Sequence, residues 1–184
     1  MGIGKGLLVV LASYAVVGMA RTYPLLISPV ITSGPFGSPS PGLALLLIPL
    51  TLVTGLTLWF ARTFIANQLS KRVFKTKAGF REELGDFGFA HFPLIFAGLS
   101  SMIVFVFGLS NIGIFASLFL GMFFSLLMYA FFVNVVMSHH NMNWKKALMI
   151  ITITEAVLFA TMFLIGLAAL HPLMQSSLMS MMTI

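Results

Sequence analysis

Five long apolar stretches set the strongest limit on what this chain can fold into. A helix needs about 20 mostly apolar residues to cross about 30 Å of hydrocarbon. Five stretches reach or approach that length: residues 7–31, 43–61, 93–109, 113–137 and 147–170. Their apolar residues are continuous rather than alternating, and an open strand edge cannot be satisfied in lipid. The sequence therefore predicts an all-α fold, a polytopic bundle of five transmembrane helices forming a single membrane domain over residues 1–184.

The composition excludes several classes of protein. The 184 residues are 59% apolar and only 8% charged, whereas a soluble domain has about a quarter charged residues. Because the solvent is then lipid, we interpret the net charge of +6 as topology signals beside phospholipid head groups and predict no nucleic-acid binding. The chain has no cysteine, which excludes disulfides, thiolate nucleophiles and cysteine-ligated metal centres.

The basic residues predict an orientation for the bundle. Nine of the ten fall on one side of the predicted topology: Lys5, Arg62, Lys71, Arg72, Lys75, Lys77, Arg81, Lys145 and Lys146. The positive-inside rule therefore predicts a cytoplasmic N-terminus and an external C-terminus. An alternative for the first span is a secretory signal cleaved after Ala20.

The longest polar region is the predicted cytoplasmic segment 62–92. Its first half, RTFIANQLSKRVFKTK, has apolar residues near helical spacing, which indicates that the second span continues as a basic amphipathic helix in the membrane interface. Its candidate contacts to lipid head groups are Lys71, Arg72, Lys75 and Lys77. The second half, AGFREELGDFGFAHFP, has acidic residues typical of a helix start and ends at Pro93, which opens the third span.

Small residues recur every four positions in the fourth span. These positions are Gly113, Ser117, Gly121 and Ser125. In lipid, small side chains allow two backbones to approach closely, so this face is predicted to contact a helix. The contacting helix belongs either to the same chain or to a second membrane protein, including another copy of this chain.

Two ionisable residues, Arg21 and Glu155, fall inside the predicted spans. Charged residues are costly in a bilayer and usually face a partner or a cavity. One interpretation is that they pair, since the long arginine side chain could bridge their difference in depth. The alternative is that Arg21 reaches outward beside Tyr23 while Glu155 is neutral or hydrogen-bonded to a nearby threonine.

Three histidines, His91, His139 and His140, fall at the predicted cytoplasmic boundary near acidic residues. Histidine and carboxylate ligands can bind zinc, but adjacent histidines cannot point the same way on a helix and no HExxH pair is present. A copper site formed by some of the 13 methionines is a further alternative. We predict no metal site, no cofactor and no catalytic residues, because the sequence contains no recognisable catalytic constellation.

Two stretches resemble the Yip family, the Ypt/Rab-interacting multispanning membrane proteins of the Golgi and their bacterial relatives. KAGFREELGDFGFAHFPLIFAG at 77–98 is similar to the family's pattern of a glycine and an aromatic residue, a short helix, a second glycine and a proline entering the next span. FFSLLMYAFFVNVVMSHHNMNWKKAL at 123–148 is similar to its long span, which ends in a histidine seven residues before an alanine, here His140 and Ala147. The chain resembles a bacterial-type member without the long cytosolic N-terminal region.

The resemblance implies a non-enzymatic membrane protein that works through partners, in a bacterial plasma membrane or, in a eukaryote, in the Golgi or ER membrane. Our leading hypothesis is an integral membrane adaptor or an accessory subunit of a larger complex, such as an exporter of the ABC type. The alternative is a small transporter or permease component that uses Arg21 and Glu155. The expected partners are membrane lipid and other membrane protein subunits or a second copy.

Overall fold

Helices account for nearly all of the structure. The computed structural model describes the backbone of residues 2–27, 42, 45–107 and 111–182, and the side chains of residues 2–23, 42, 45–102 and 112–168. The helices are α1 (Ile3–Ile27), α2 (Leu47–Phe74), α3 (Phe80–Phe89), α4 (Pro93–Phe107), α5 (Asn111–His140) and α6 (Trp144–Met182). The described ranges contain no strand. The predicted all-α membrane bundle is confirmed.

Within the described residues, four helices are long and apolar enough to cross a bilayer. These candidate spans are Ile3–Tyr23, Leu47–Phe74, Ile112–His140 and Trp144–Ala168. Helix α4 corresponds to the predicted span 93–109, but its 15 residues extend only about 22 Å at 1.5 Å per residue. The predicted connection at 33–42 lies outside the described residues except for Gly42.

Helix α2 covers the predicted second span, placed at 43–61, from Leu47 onward and includes the expected helical continuation beyond it. It continues unbroken to Phe74 and stops where Lys75 adopts a left-handed φ of 55°. Beyond Ala61 its buried residues are small or polar: Arg62, Thr63, Ala66, Asn67 and Ser70. This second half packs a polar face into the bundle, whereas the apolar side chains of Phe64 and Val73 point outward and are exposed.

Helix α3 lies against α1 at a contact made by glycines. A Cβ atom added to Gly6 would lie within 3.1 Å of the backbone of Gly85, and one added to Gly88 would lie 2.6 Å from the backbone of Gly6. The missing side chains therefore let the two backbones touch. On its other side α3 accepts a hydrogen bond from Trp59, whose Nε1 lies 3.0 Å from the Leu84 carbonyl oxygen.

The packed core lies in the half of the bundle that contains α3. Phe87 of α3 stacks on Phe132 of α5 with ring centroids 5.4 Å apart, and both are buried with Ile150 and Ile151 of α6. Helices α5 and α6 continue well beyond this core. Residues 159–168 of α6 are all exposed, so the packed half is where the molecule can position a polar site.

Candidate functional site

A group of ionisable and aromatic side chains is buried where five segments of the chain meet. We call Arg62, Glu155, His91 and Phe132 the arginine cluster. Arg62 of α2 donates to both carboxylate oxygens of Glu155 on α6, with Nε 2.5 Å from Oε1 and Nη2 3.1 Å from Oε2. Its Cζ atom lies 4.6 Å from the centroid of the Phe132 ring. The guanidinium thus has an ion-pair partner and an aromatic face, the two environments that stabilise a buried arginine.

His91 completes the cluster from the turn that precedes α4. Its Nδ1 lies 2.7 Å from the Phe87 carbonyl oxygen, to which it must donate. Its Nε2 therefore carries the lone pair that accepts a hydrogen bond from Arg62 Nη1 at 3.1 Å. Burial, together with the positive charge of Arg62, lowers the pKa of His91 to about 3. His91 is consequently a neutral acceptor with a fixed tautomer, and its ring lies 5.9 Å from that of Tyr14 on α1.

A second polar group, the carboxylate cluster, contains Glu83, Asn67, His140 and Thr76. The Glu83 carboxylate on α3 accepts a hydrogen bond from Asn67 Nδ2, and its Oε1 lies 3.0 Å from His140 Nε2. The other ring nitrogen of His140 lies 2.5 Å from the Thr76 hydroxyl. The side chains of Glu83 and His140 are both fully buried, so the cluster attaches α3 to α2 and to the end of α5.

The neighbouring histidine makes a separate, more accessible contact. His139 Nε2 lies 2.8 Å from Asp86 Oδ2. Partial burial is the largest single effect on the pKa of Asp86 and raises it, but the hydrogen bond from His139 and the other hydrogen-bonding and positive groups around the carboxylate together outweigh it and leave that pKa below its usual value. The pair borders a cavity of about 480 Å³ that is also lined by aromatic rings, among them Phe89 and Phe131.

This arrangement uses its polar groups for structure. Each of the three histidines is engaged with a different partner, and in the described part of the chain no three His, Asp or Glu side chains are arranged to hold a metal ion. Arg62, Glu155 and Glu83 likewise have their charges paired within the protein. The contacts of the two clusters can hold six segments of the chain in register.

The two intramembrane charges singled out in the sequence are not brought together. Glu155 forms its ion pair with Arg62. The structure therefore contains neither the Arg21–Glu155 pair nor the alternative hydrogen bond from Glu155 to a threonine among its described contacts. The sequence did not identify Arg62 as a buried site residue, because the predicted second span ended at position 61 and Arg62 was assigned to the cytoplasmic side. The available signal was the helical recurrence of small and polar residues on α2, including Gly55 and Ser70, which continues past position 62 without a break.

The small residues of α5 lie along its contact with α4. Gly113 is buried, Ser117 and Gly121 are partly buried and Ser125 is exposed. A Cβ atom on Gly121 would meet only the Ser100 hydroxyl oxygen, at 3.6 Å. Space therefore remains beside this face, and Gly121 and Ser125 line a cavity of about 270 Å³ together with Arg21.

The four candidate lipid-contacting basic residues lie at the end of α2 and in the connection to α3. Arg72, Lys75 and Lys77 are exposed, and Lys71 is partly exposed. Lys71 and Arg72 lie in the last turn of α2, where positive charge complements the helix dipole.

Comparison with known proteins agrees with this architecture. The family model of the Yip1 domain matches residues 4–168, which extends from the first turn of α1 into the exposed part of α6. The chain belongs to the Yip1 family. No curated protein and no solved structure matches it.

The Yip1 domain contains every residue of the two clusters, since its match runs past Glu155. The predicted membership in the Yip family is confirmed. Membership and the four long apolar helices make this protein an integral membrane protein.

Proposed function

We propose that this Yip1 domain is a non-enzymatic membrane adaptor, or an accessory subunit, that binds another membrane protein through α6 and recruits it in a bacterial plasma membrane. The observation that carries the proposal is the all-round exposure of residues 159–168. A helix in a compact bundle normally buries one face against its neighbours. This segment buries none, although it follows directly on the tightly packed Ile151, Thr154 and Leu158.

The composition of the exposed segment suits contact with another helix. Phe159 and Phe163 stack one turn apart at 6.5 Å, while Ala160 and Gly166 leave gaps between the large side chains. Membrane helices associate through such packing of large against small side chains, because burial of apolar surface gains little in lipid. A membrane exporter subunit is a partner of this kind.

The polar clusters support a scaffold rather than a transport or catalytic role. The ions of the arginine cluster are paired internally, and neither of the two cavities described above is lined by Arg62 or Glu155. The transporter alternative depended on an Arg21–Glu155 pair, and Glu155 has Arg62 as its partner. That alternative has therefore lost the observation that motivated it.

Site-specific photo-crosslinking tests the adaptor proposal. A photoreactive amino acid at Phe163 should capture a membrane protein in intact cells. The same group at Val53, an equally apolar and exposed position of α2, should capture lipid alone. Absence of a protein adduct at position 163, or the same adduct at both positions, would contradict the use of α6 as the partner surface.

A further inference from the structure

The cavity beside Arg21 is formed by three helices. Its lining is Val17 and Arg21 of α1; Leu94, Ala97, Gly98 and Ser101 of α4; and Gly121 and Ser125 of α5. Most of these residues are small, which is why a space of about 270 Å³ remains where the helices meet. A water molecule occupies about 30 Å³ in the liquid, so the cavity could hold a group the size of roughly nine waters.

None of the Asp and Glu side chains of this chain is paired with Arg21. The whole sequence contains four acidic residues. Three of them are engaged elsewhere, since Glu155 pairs with Arg62, Glu83 with His140 and Asp86 with His139. The fourth, Glu82, is exposed in the first turn of α3, beside the opposite end of α1. The guanidinium of Arg21 is therefore open to an anion from outside the chain.

The position of Arg21 along α1 indicates the source of that anion. Arg21 lies six residues before the described end of α1 at Ile27, in the half of the helix remote from the contact of Gly6 with α3. About 20 helical residues cross the hydrocarbon, so a span that begins near Lys5 reaches the opposite phosphate layer about one turn beyond Arg21. An arginine one turn from that layer can extend its guanidinium to the lipid phosphates.

The remaining polar groups of the cavity are hydroxyls that can turn toward a ligand. The hydroxyl of Ser101 donates to the Gly98 carbonyl oxygen at 2.6 Å, and that of Ser125 donates to the Gly121 carbonyl oxygen at 2.7 Å. Each carbonyl oxygen lies in the same helix as the serine that donates to it. Rotation of the hydroxyl toward a ligand therefore breaks no contact between helices. The cavity thus offers five fixed N–H donors from arginine and two adjustable hydroxyl groups.

We propose that this cavity binds the phosphodiester of an acidic membrane phospholipid such as phosphatidylglycerol. Arg21 contributes the planar donor pair that matches two phosphate oxygens, and Ser101 and Ser125 hydrogen-bond the phosphate or the glycerol head group. A zwitterionic lipid is disfavoured, because its ammonium group would meet a cation and no carboxylate in this cavity. This site is independent of the partner surface on α6.

Native mass spectrometry of the full chain in detergent tests the site. Titration with phosphatidylglycerol should give one tightly bound lipid, and Arg21→Gln should weaken it by about tenfold or more, as expected for loss of a charge-assisted contact. Lys145→Gln is the matched control, because Lys145 is an exposed cation at the start of α6 and its loss should change nothing. Phosphatidylcholine should bind the wild-type protein more weakly than phosphatidylglycerol does.

A variant that fills the cavity tests whether lipid binding needs the open space as well as the charge of Arg21. Gly121→Leu keeps Arg21 but occupies the space, and should weaken phosphatidylglycerol binding to a similar degree. If that variant does not fold, Ser101→Leu provides the same test from α4, because Ser101 is exposed and lines the same cavity. Unchanged lipid binding in Arg21→Gln, or in a folded cavity-filling variant, would overturn the proposal. Displacement of the lipid by equimolar inorganic phosphate would assign the site to a free anion and overturn the lipid assignment.

Discussion

Among single residues, the two arginines of the apolar helices have opposite surroundings, and they give the first prediction. Arg62 is 8% exposed and pairs with Glu155, which is 32% exposed, whereas Arg21 is exposed and has no carboxylate partner among the described residues. Breaking a fully buried pair costs about 3–5 kcal/mol and an exposed pair at most about 1 kcal/mol. Arg62→Gln should therefore lower the free energy of unfolding by about 2 kcal/mol and reduce the melting temperature in detergent micelles.

Arg21→Gln is the matched control for this prediction. It removes the same charge from the same residue type, but no protein carboxylate loses its partner, so the melting temperature in lipid-free detergent should stay within the range typical of surface changes. Equal losses for the two variants would mean that the Arg62–Glu155 pair contributes nothing specific to stability.

The second prediction concerns His91, whose pKa is lowered from 6.5 to about 3 by burial and by Arg62. Between these two values the unfolded chain binds a proton at this histidine and the folded chain does not, so stability rises with pH in that window. Acidification from pH 6.5 to pH 4 should thus destabilise the protein. The lowered pKa of Asp86 acts only below its ordinary value of 3.8, outside this range.

His91→Gln isolates the contribution of this residue. Glutamine has an N–H donor and a carbonyl acceptor but does not titrate, so the melting temperature of the variant should depend less steeply on pH between 4 and 6.5. Parallel curves for wild-type and variant protein over that range would contradict the assignment of a neutral, buried His91.

At the scale of elements, the contact between α1 and α3 leads to the third prediction. A methyl group on Gly88 would lie 2.6 Å from the backbone of Gly6, and a backbone cannot move aside as a flexible side chain can. Gly88→Ala should therefore separate α3 from α1 and cost about 1–3 kcal/mol, the range typical of overpacking. Gly121→Ala is the control, since its nearest neighbour lies at 3.6 Å, and it should be neutral or slightly stabilising through helix propensity. Chemical denaturation in mixed micelles measures both.

The elements themselves were largely predictable from the sequence. Pro93 begins α4 as expected, and α5 and α6 begin within three residues of the predicted positions 113 and 147. A long apolar segment in lipid must form a helix, because only a helix satisfies all of its backbone hydrogen bonds within the segment. The burial of Arg62 and of the polar face of α2 was not predictable in the same way. A charged residue marks where hydropathy falls, but it does not reveal whether a distant helix supplies a counter-ion.

The candidate site was accordingly recovered only in part. Glu155 was identified from its position within an apolar run, and the three histidines from their place near carboxylates. Their partners depend on which helices become neighbours, and a single sequence without residue pairing information does not specify that. The contact of His140 with Glu83 joins residues 57 positions apart, and that of Arg62 with Glu155 joins residues 93 apart.

For the whole molecule, the fourth prediction concerns orientation. The chain has no cysteine, so single cysteines can be introduced without background. Cysteines replacing Lys77 or Lys145, both exposed, should be protected in intact cells from a membrane-impermeant maleimide and labelled after lysis, because the positive-inside rule places them in the cytoplasm. A cysteine at Gly42 should be labelled in intact cells. The reverse pattern, or labelling of all three from one side, would contradict the predicted topology.

The long separation between Arg62 and Glu155 has a consequence for biosynthesis. A ribosome adds about 5–20 residues per second, so α2, which ends at Phe74, is complete roughly 4–16 s before the carboxylate of Glu155 has been made. During that interval Arg62 must stay near the polar edge of the nascent bundle, since an unpaired charge is costly within the bilayer. A helix inserted later, α6, therefore supplies the group that pairs with the arginine of an earlier helix, and a nascent chain that stalls before α6 exposes an uncompensated charge that membrane quality control can recognise.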